Sequence, residues 1–274
     1  MSERHFVTTP DGHPLFVRDW GSGPPILFLA GWGMSSDLWS QVMILVGEHG
    51  FRTVAFDRRG HGQSSDPGVV NYDCLADDLA AIIETCDLQD CTLVAHSGAA
   101  GEAIRYVSRH GSARVKRIVF VGAQGPCVLQ RTDNPNGVPR ELFEALMVRL
   151  KEDLPDWLDQ NVEAFIPGAS RTAFTWVTEM VLRCSRRLLM DFQRVIVEAD
   201  LRPEVPALDV PVTVIHGDLD VSCPIDTTGR HFAALVPGAK LVVVEGAAHG
   251  LMVTHSKRLA DDIVAHFNQE SGRL

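Results

Sequence analysis

Short apolar, β-rich runs alternate with helical patterns along most of the chain, and this alternation limits the architecture more than any other feature. Residues Pro14–Trp20 and 26–29 read as strands, the first amphipathic and the second a continuous apolar run. Ser36 is placed to cap a helix whose Leu38, Trp39, Val42, Leu45 and Val46 share one face, with Gly50 as its stop. Residues 53–56 form the next strand. Tyr72, Leu75, Leu79, Ile82, Ile83 and Cys86 then mark a second amphipathic helix, whose Asp77, Asp78 and Glu84 fall on the solvated side.

The pattern continues with strands at 91–95, 117–121, 211–216 and Lys240–Val244. Ala100, Ala103, Ile104 and Val107 recur at helical spacing before His110 and Gly111, and Leu259, Ile263 and Phe267 stripe a last helix. Such a chain folds as an α/β protein, with a mostly parallel, doubly wound sheet and right-handed crossovers. One stretch breaks the alternation. Between Gln124 and about Leu208 only helical patterns occur, at 142–150, 157–165 and 172–197. The expected organisation is a core of residues 1–123 and 209–274 with a helical cap inserted at 124–208. The cap is expected over the carboxyl edge of the sheet, where open α/β sheets bind ligands.

At 274 residues the chain has room for one large domain, or for one domain carrying such an insert. Its formal charge of −10 argues against a nucleic-acid partner, which requires clustered Lys and Arg. The longest purely apolar runs are about six residues, against the ~20 of a membrane helix, so no membrane partner is expected. The start, with Glu3, Arg4 and His5, shows no signal-peptide core, and a cytoplasmic location is the expectation. Six scattered cysteines without a C-x-x-C pair read as reduced thiols rather than a disulfide framework or a metal site. Self-association into a homo-oligomer is left open.

Val94-Ala95-His96-Ser97-Gly98-Ala99-Ala100-Gly101 joins a buried strand directly to a helix. A nucleophile on such a tight turn needs small residues two places either side, usually in the pattern G-x-S-x-G. Here both outer positions are alanine, Ala95 and Ala99, and an ordinary strand–helix corner is the alternative reading. The context favours the nucleophile. His216-Gly217-Asp218-Leu219-Asp220 ends one later strand and Gly246-Ala247-Ala248-His249-Gly250 ends the next. Serine, acid and histidine in that order, each after its own strand, suit acyl transfer: His249 takes the Ser97 proton, and a buried carboxylate fixes the imidazole tautomer. The oxyanion hole would come from the backbone N–H groups of Gly98 and of Trp32, whose indole would wall the substrate pocket beside Gly33.

The chain resembles an α/β-hydrolase of the cofactor-free haloperoxidase and arylesterase group, nearly end to end. The resemblance is carried by Ala55-Phe56-Asp57-Arg58-Arg59-Gly60-His61-Gly62-Gln63-Ser64 and Gly101-Glu102-Ala103-Ile104-Arg105-Tyr106. It continues through Arg109-His110-Gly111-Ser112-Ala113-Arg114-Val115, Gly137-Val138-Pro139 and Ala248-His249-Gly250-Leu251-Met252-Val253-Thr254-His255. It implies that Asp220 is the acid, that Asp218 is a turn residue, and that no cofactor or metal takes part. The departures are Ala30 in place of the usual His, Gly98 in place of a bulkier residue, often Met, and the two alanines flanking the turn. The small Gly98 suggests a pocket left open to water.

The expected function is a serine hydrolase that cleaves a carboxylic ester or lactone through a Ser97 acyl-enzyme, with weak perhydrolase side activity. A cofactor-free dioxygenase using the His249–Asp220 pair as base is one alternative. A ligand sensor of the same fold with slow turnover is another. His61 and His96 read as structural. Arg183, Arg187 and Arg194 form a stripe that could face a carboxylate substrate but more often marks a solvated face. Cys223 lies near the acid by sequence, with no activating neighbour.

Overall fold

Eight strands form one sheet in the computed structural model, which describes residues 5–268. They are β1 (His5–Thr8), β2 (Pro14–Trp20), β3 (Pro25–Leu29), β4 (Arg52–Phe56), β5 (Cys91–His96), β6 (Val115–Val121), β7 (Val212–Gly217) and β8 (Lys240–Val244). Their order across the sheet is β1-β2-β4-β3-β5-β6-β7-β8. Only the β1/β2 and β2/β4 pairs are antiparallel. Glu3 and Arg4, part of the charged start, lie outside the described residues.

Helices α1 (Ser40–Gly47), α2 (Tyr72–Thr85) and α3 (Ala99–His110) follow β3, β4 and β5. Then come α4 (Arg140–Glu152), α5 (Leu154–Phe165), α6 (Arg171–Leu182) and α7 (Arg186–Glu198), all between β6 and β7. Finally α8 (Gly229–Leu235) separates β7 from β8, and α9 (Leu251–Thr254) and α10 (Ser256–Asn268) close the described chain. α1 packs on α10 and α2 on α3. Every residue of β5 is buried, as a strand covered on both faces requires. No helix among the described residues is long and apolar enough to cross a membrane.

The sheet order places the site. β3 pairs with β4 on one side and β5 on the other, so the loops after β3 and β5 diverge and leave a crevice. Register brings Leu29 beside Ala95 and His96 beside Val121, so the ends of β3, β5 and β6 lie level. The ends of the helical stretch between β6 and β7 meet each other: Cys127 bridges to Asp200, and Leu201 N–H donates to the Pro126 carbonyl at 2.7 Å.

Three local expectations are corrected. Ser35, not Ser36, accepts the capping N–H of Asp37, and a 3₁₀ turn precedes α1, which ends before Gly50. The apolar pattern at 172–197 is two helices, because Ser185 caps α7 through Leu188 N–H while its own N–H donates to the Gly60 carbonyl. Asp78 is buried rather than solvated, since Arg59 closes on both its oxygens at 2.7 and 2.5 Å. β1 was not foreseen, because only Val7 of its four residues is buried and no alternation shows.

Candidate active site

Ser97 stands between the last residue of β5 and the first turn of α3, with φ of +56°. That left-handed conformation is unfavourable for a side-chain-bearing residue, on the order of 1–3 kcal/mol, and the surroundings hold it in place. Ser97 N–H donates to the Val121 carbonyl at 3.0 Å. Ala95 and Ala99 are both fully buried, so small side chains there let strand and helix approach. Gly31 completes the close packing: a Cβ on it would lie 3.0 Å from Ser97 Cβ and 2.8 Å from His96 Nδ1.

Gly101 is set by the same crowding. A Cβ there would come within 2.1 Å of Tyr72, whose ring is buried and whose hydroxyl donates to the Gly98 carbonyl at 2.9 Å. Alanine normally gains about 1 kcal/mol over glycine in a helix. Here overpacking outweighs that gain, and Gly101→Ala should lower stability by about 1–3 kcal/mol. A urea midpoint equal to or above that of the parent protein would contradict the packing argument.

The loops after β7 and β8 bring the other two side chains to Ser97. His249 Nε2 is 2.9 Å from Ser97 Oγ, and His249 Nδ1 is 2.7 Å from Asp220 Oδ2. All three residues are buried. Asp220 Oδ1 accepts from Cys223 N–H at 2.7 Å, and His216 Nε2 lies 3.3 Å from Oδ2. Burial would raise the Asp220 carboxyl, but the electrostatic influence of the adjacent His249 ring and the hydrogen bonds from His216, His249 and Cys223 hold it well below its ordinary range. Asp218 is exposed and has a different partner: its Oδ1 accepts from Gly246 N–H at 2.7 Å, tying the two turns together.

His249 is itself braced. His96 Nε2 donates to its carbonyl at 3.2 Å, and the rings of His96 and Phe165 flank it at 4.7 and 5.7 Å. Burial and the neighbouring His249 push His96 well below the ordinary histidine value, so it stays neutral. His61 is likewise buried, pushed down to about 3 by desolvation and by Arg58. Asp220, Cys223 and His249 form the one group among the described residues with metal-ligand spacing. A metal there would have to break the Asp220–His249 bond and take a thiol that burial holds well above its usual value. The Cys223 thiol sits beside Ser97 and Gln124 instead.

Ser97 and His249 open on a cavity of roughly 290 Å³, roofed by Leu146, Trp157, Leu158 and Phe165 of the insert. Among the described residues no Asp, Glu, Lys or Arg lines it; its polar side chains besides Ser97, Ser222 and His249 are Gln124, Asn161, Thr178, Gln193 and His96. Trp32 forms one wall, its Nε1–H donating to the Leu189 carbonyl at 2.8 Å and its ring edge-on to Trp157 at 6.0 Å. Gly98 is the N-cap residue of α3, at the helix end whose backbone N–H groups have no acceptor within the helix.

Two expectations about small residues are corrected. Gly33 does not line the cavity, because a Cβ there would meet Val181 and Leu189 of the insert at 3.0–3.4 Å. The space beside Gly98 is not open to water: Ile196 of α7 fills it, with its Cδ1 2.4 Å from where a Cβ would stand. The arginine stripe stays outside the cavity. Arg183 pairs with Glu179, Arg187 with Asp191 and Arg194 with Glu144. The insert's wall residues were not foreseen, since helical periodicity gives a buried face but not what that face covers.

A doubly wound sheet with these three side chains at its carboxyl edge defines a class. Residues 24–256 match the family model described as the alpha/beta hydrolase fold, and the chain belongs to that family. Within it the similarity is to the non-heme haloperoxidases, as the motifs implied. A non-heme chloroperoxidase of Kitasatospora aureofaciens is 37% identical over 256 residues, covering 89% of this chain and 91% of the relative. A bifunctional esterase/perhydrolase of Acinetobacter calcoaceticus is 32% identical over 270 residues, with 95% and 98% covered. The crystal structure of a bromoperoxidase from Bacillus anthracis superposes with a TM-score of 0.93 at 26% identity, covering 97% and 100%. The chain is therefore a hydrolase of the α/β fold.

Proposed function

We propose that this hydrolase cleaves an uncharged carboxylic ester or lactone through an acyl-enzyme on Ser97, beneath a cap formed by residues 124–208. The observation that carries the reading is the chain of contacts from Asp220 through His249 to Ser97, opening on a cavity without charged carboxylates or cations. His249 Nε2 takes the Ser97 proton as Oγ attacks the carbonyl, and Asp220 holds Nδ1–H and stabilises the imidazolium. The oxyanion falls to the N–H groups of Gly98 and Trp32. His249 then returns the proton to the leaving alkoxide, and water repeats the sequence on the acyl-enzyme. A free carboxylate on the substrate would lose its hydration without gaining a cation, which favours neutral acyl and alcohol groups.

The deciding experiment is a panel of esters and lactones of graded acyl size, run beside Ser97→Ala. Turnover that vanishes in the variant and declines once the acyl group outgrows the cavity supports the reading. Tight binding with hydrolysis barely above background would instead favour a ligand sensor.

Halide oxidation, the activity named for several relatives, would run through the same intermediate. A short carboxylic acid acylates Ser97 with loss of water, hydrogen peroxide attacks the acyl carbon, and the peracid leaves as Oγ regains its proton. In solution the peracid transfers oxygen to bromide, giving hypobromite and the parent carboxylate. Bromination should thus require added carboxylic acid, ignore chelators and be absent in Ser97→Ala. Strong bromination in acid-free buffer, or its loss on chelation, would show a different route.

A further inference from the structure

Arg58 follows β4 and is buried, with its side chain 2% exposed. Its guanidinium satisfies three acceptors at once. Nε donates to Glu102 Oε1 at 2.6 Å, Nη2 to the Ala30 carbonyl at 2.5 Å and Nη1 to the Gly31 carbonyl at 3.2 Å. Nη2 also closes on Glu102 Oε1, and the ring of Phe192 from α7 covers the guanidinium at 4.3 Å. Glu102 is fully buried in the first turn of α3, the helix that starts beside Ser97.

The loop after β3 is therefore gripped by its carbonyls. A trans peptide is planar, so its C=O and the following N–H point in opposite directions. Holding the Gly31 carbonyl toward Arg58 turns the Trp32 N–H the other way. Ser97 lies close to this peptide, since a Cβ on Gly31 would stand 3.0 Å from Ser97 Cβ and Trp32 shares the cavity with Ser97. The Met34 N–H also reaches the Gly31 carbonyl, at 3.3 Å, but that bond closes a local turn and makes no tie to the serine's helix.

We propose that Arg58, anchored by Glu102, is a positioning residue that aims the Trp32 N–H at the oxyanion formed on Ser97, an assignment that rests on the acyl-enzyme reading above. Arginine suits the task, because its planar fork spans a carboxylate and two carbonyls where a lysine offers one point of charge. Glu102 compensates a charge that would otherwise be buried alone. Neither residue touches the substrate.

The test uses Arg58→Lys, which keeps the charge and its pairing with Glu102 but cannot hold both carbonyls, and so is expected to fold. On a p-nitrophenyl ester, kcat per burst-titrated active site should fall about 10–100-fold with KM within about twofold. Deleting a whole oxyanion donor costs about 10²–10³, and mis-aiming one should cost less. Affinity for a trifluoromethyl ketone, which forms an oxyanion on serine, should fall in the same proportion. A purely structural role would lower the thermal midpoint and leave both quantities unchanged, and that result in folded protein overturns the proposal. Should Arg58→Lys not fold, the isosteric Glu102→Gln carries the same two readouts, and unchanged values there overturn it equally. Ser97→Ala run alongside separates the two layers. An inactive Ser97→Ala beside a fully active Arg58→Lys refutes the positioning role alone, whereas an active Ser97→Ala refutes the acyl-enzyme itself.

Discussion

Ser97→Ala is expected to fold and to lose nearly all ester hydrolysis. The residue is buried and contributes only Oγ to the site, so alanine leaves no large void. Its φ of +56° is no easier for alanine than for serine, so any change in the melting midpoint should be small. Without Oγ no acyl-enzyme forms. What remains is direct attack by water, helped by His249 and the oxyanion donors, and removing a triad member commonly leaves only ~10³–10⁴ over the uncatalysed rate. Burst kinetics on an activated ester provide the check. Near-parental turnover in a folded Ser97→Ala would remove the basis for the proposed mechanism.

Asp220→Asn should cut kcat by a factor on the order of 10⁴ while KM moves little. Asparagine can still accept the Cys223 N–H through its carbonyl oxygen, as Asp220 Oδ1 does at 2.7 Å. Its NH₂ group would then face His249 Nδ1, where the carboxylate now accepts at 2.7 Å. That arrangement favours the tautomer with the proton on Nε2, which points at Ser97 Oγ and can no longer take its proton. Asp218→Asn is the control. Asp218 accepts Gly246 N–H from the exposed turn, so its loss should reduce stability and spare kcat. If a well-folded Asp218→Asn proves the slower enzyme, the two acidic roles are reversed.

Much of this was legible in the sequence because each of the three side chains follows a strand, and the strands before Ser97 and Asp220 are buried at every residue. A run such as Cys91–His96, mostly apolar and buried at every residue, fits a sheet covered on both faces, and the serine that follows it lies at the sheet's carboxyl edge. Chain order then assigns Ser97, Asp220 and His249 to the ends of β5, β7 and β8 on one edge of the sheet. What was illegible depends on partners distant in sequence. Asp78 sits at a position that reads as solvated, and only Arg59 makes its burial tolerable. The break before α7 is hidden because Leu182 and Leu188 continue the apolar rhythm across Ser185. Gly33 and Gly98 looked like open space because a sequence shows what a glycine lacks, not which side chains occupy the gap.

The contact between Gly98 and Ile196 also constrains how this chain can drift. The family it resembles usually carries a bulkier residue after the serine, and Ile196 Cδ1 stands 2.4 Å from the first atom such a residue would add. A lineage moving between the two arrangements therefore needs Ile196 to move aside or shrink as position 98 grows. Shrinking position 196 first, at the cost of a temporary hole, leaves room for position 98 to grow into. A saturation library at 98 alone would score that site as intolerant. Varied together, the two positions would behave as a single exchangeable volume shared between the sheet and the insert.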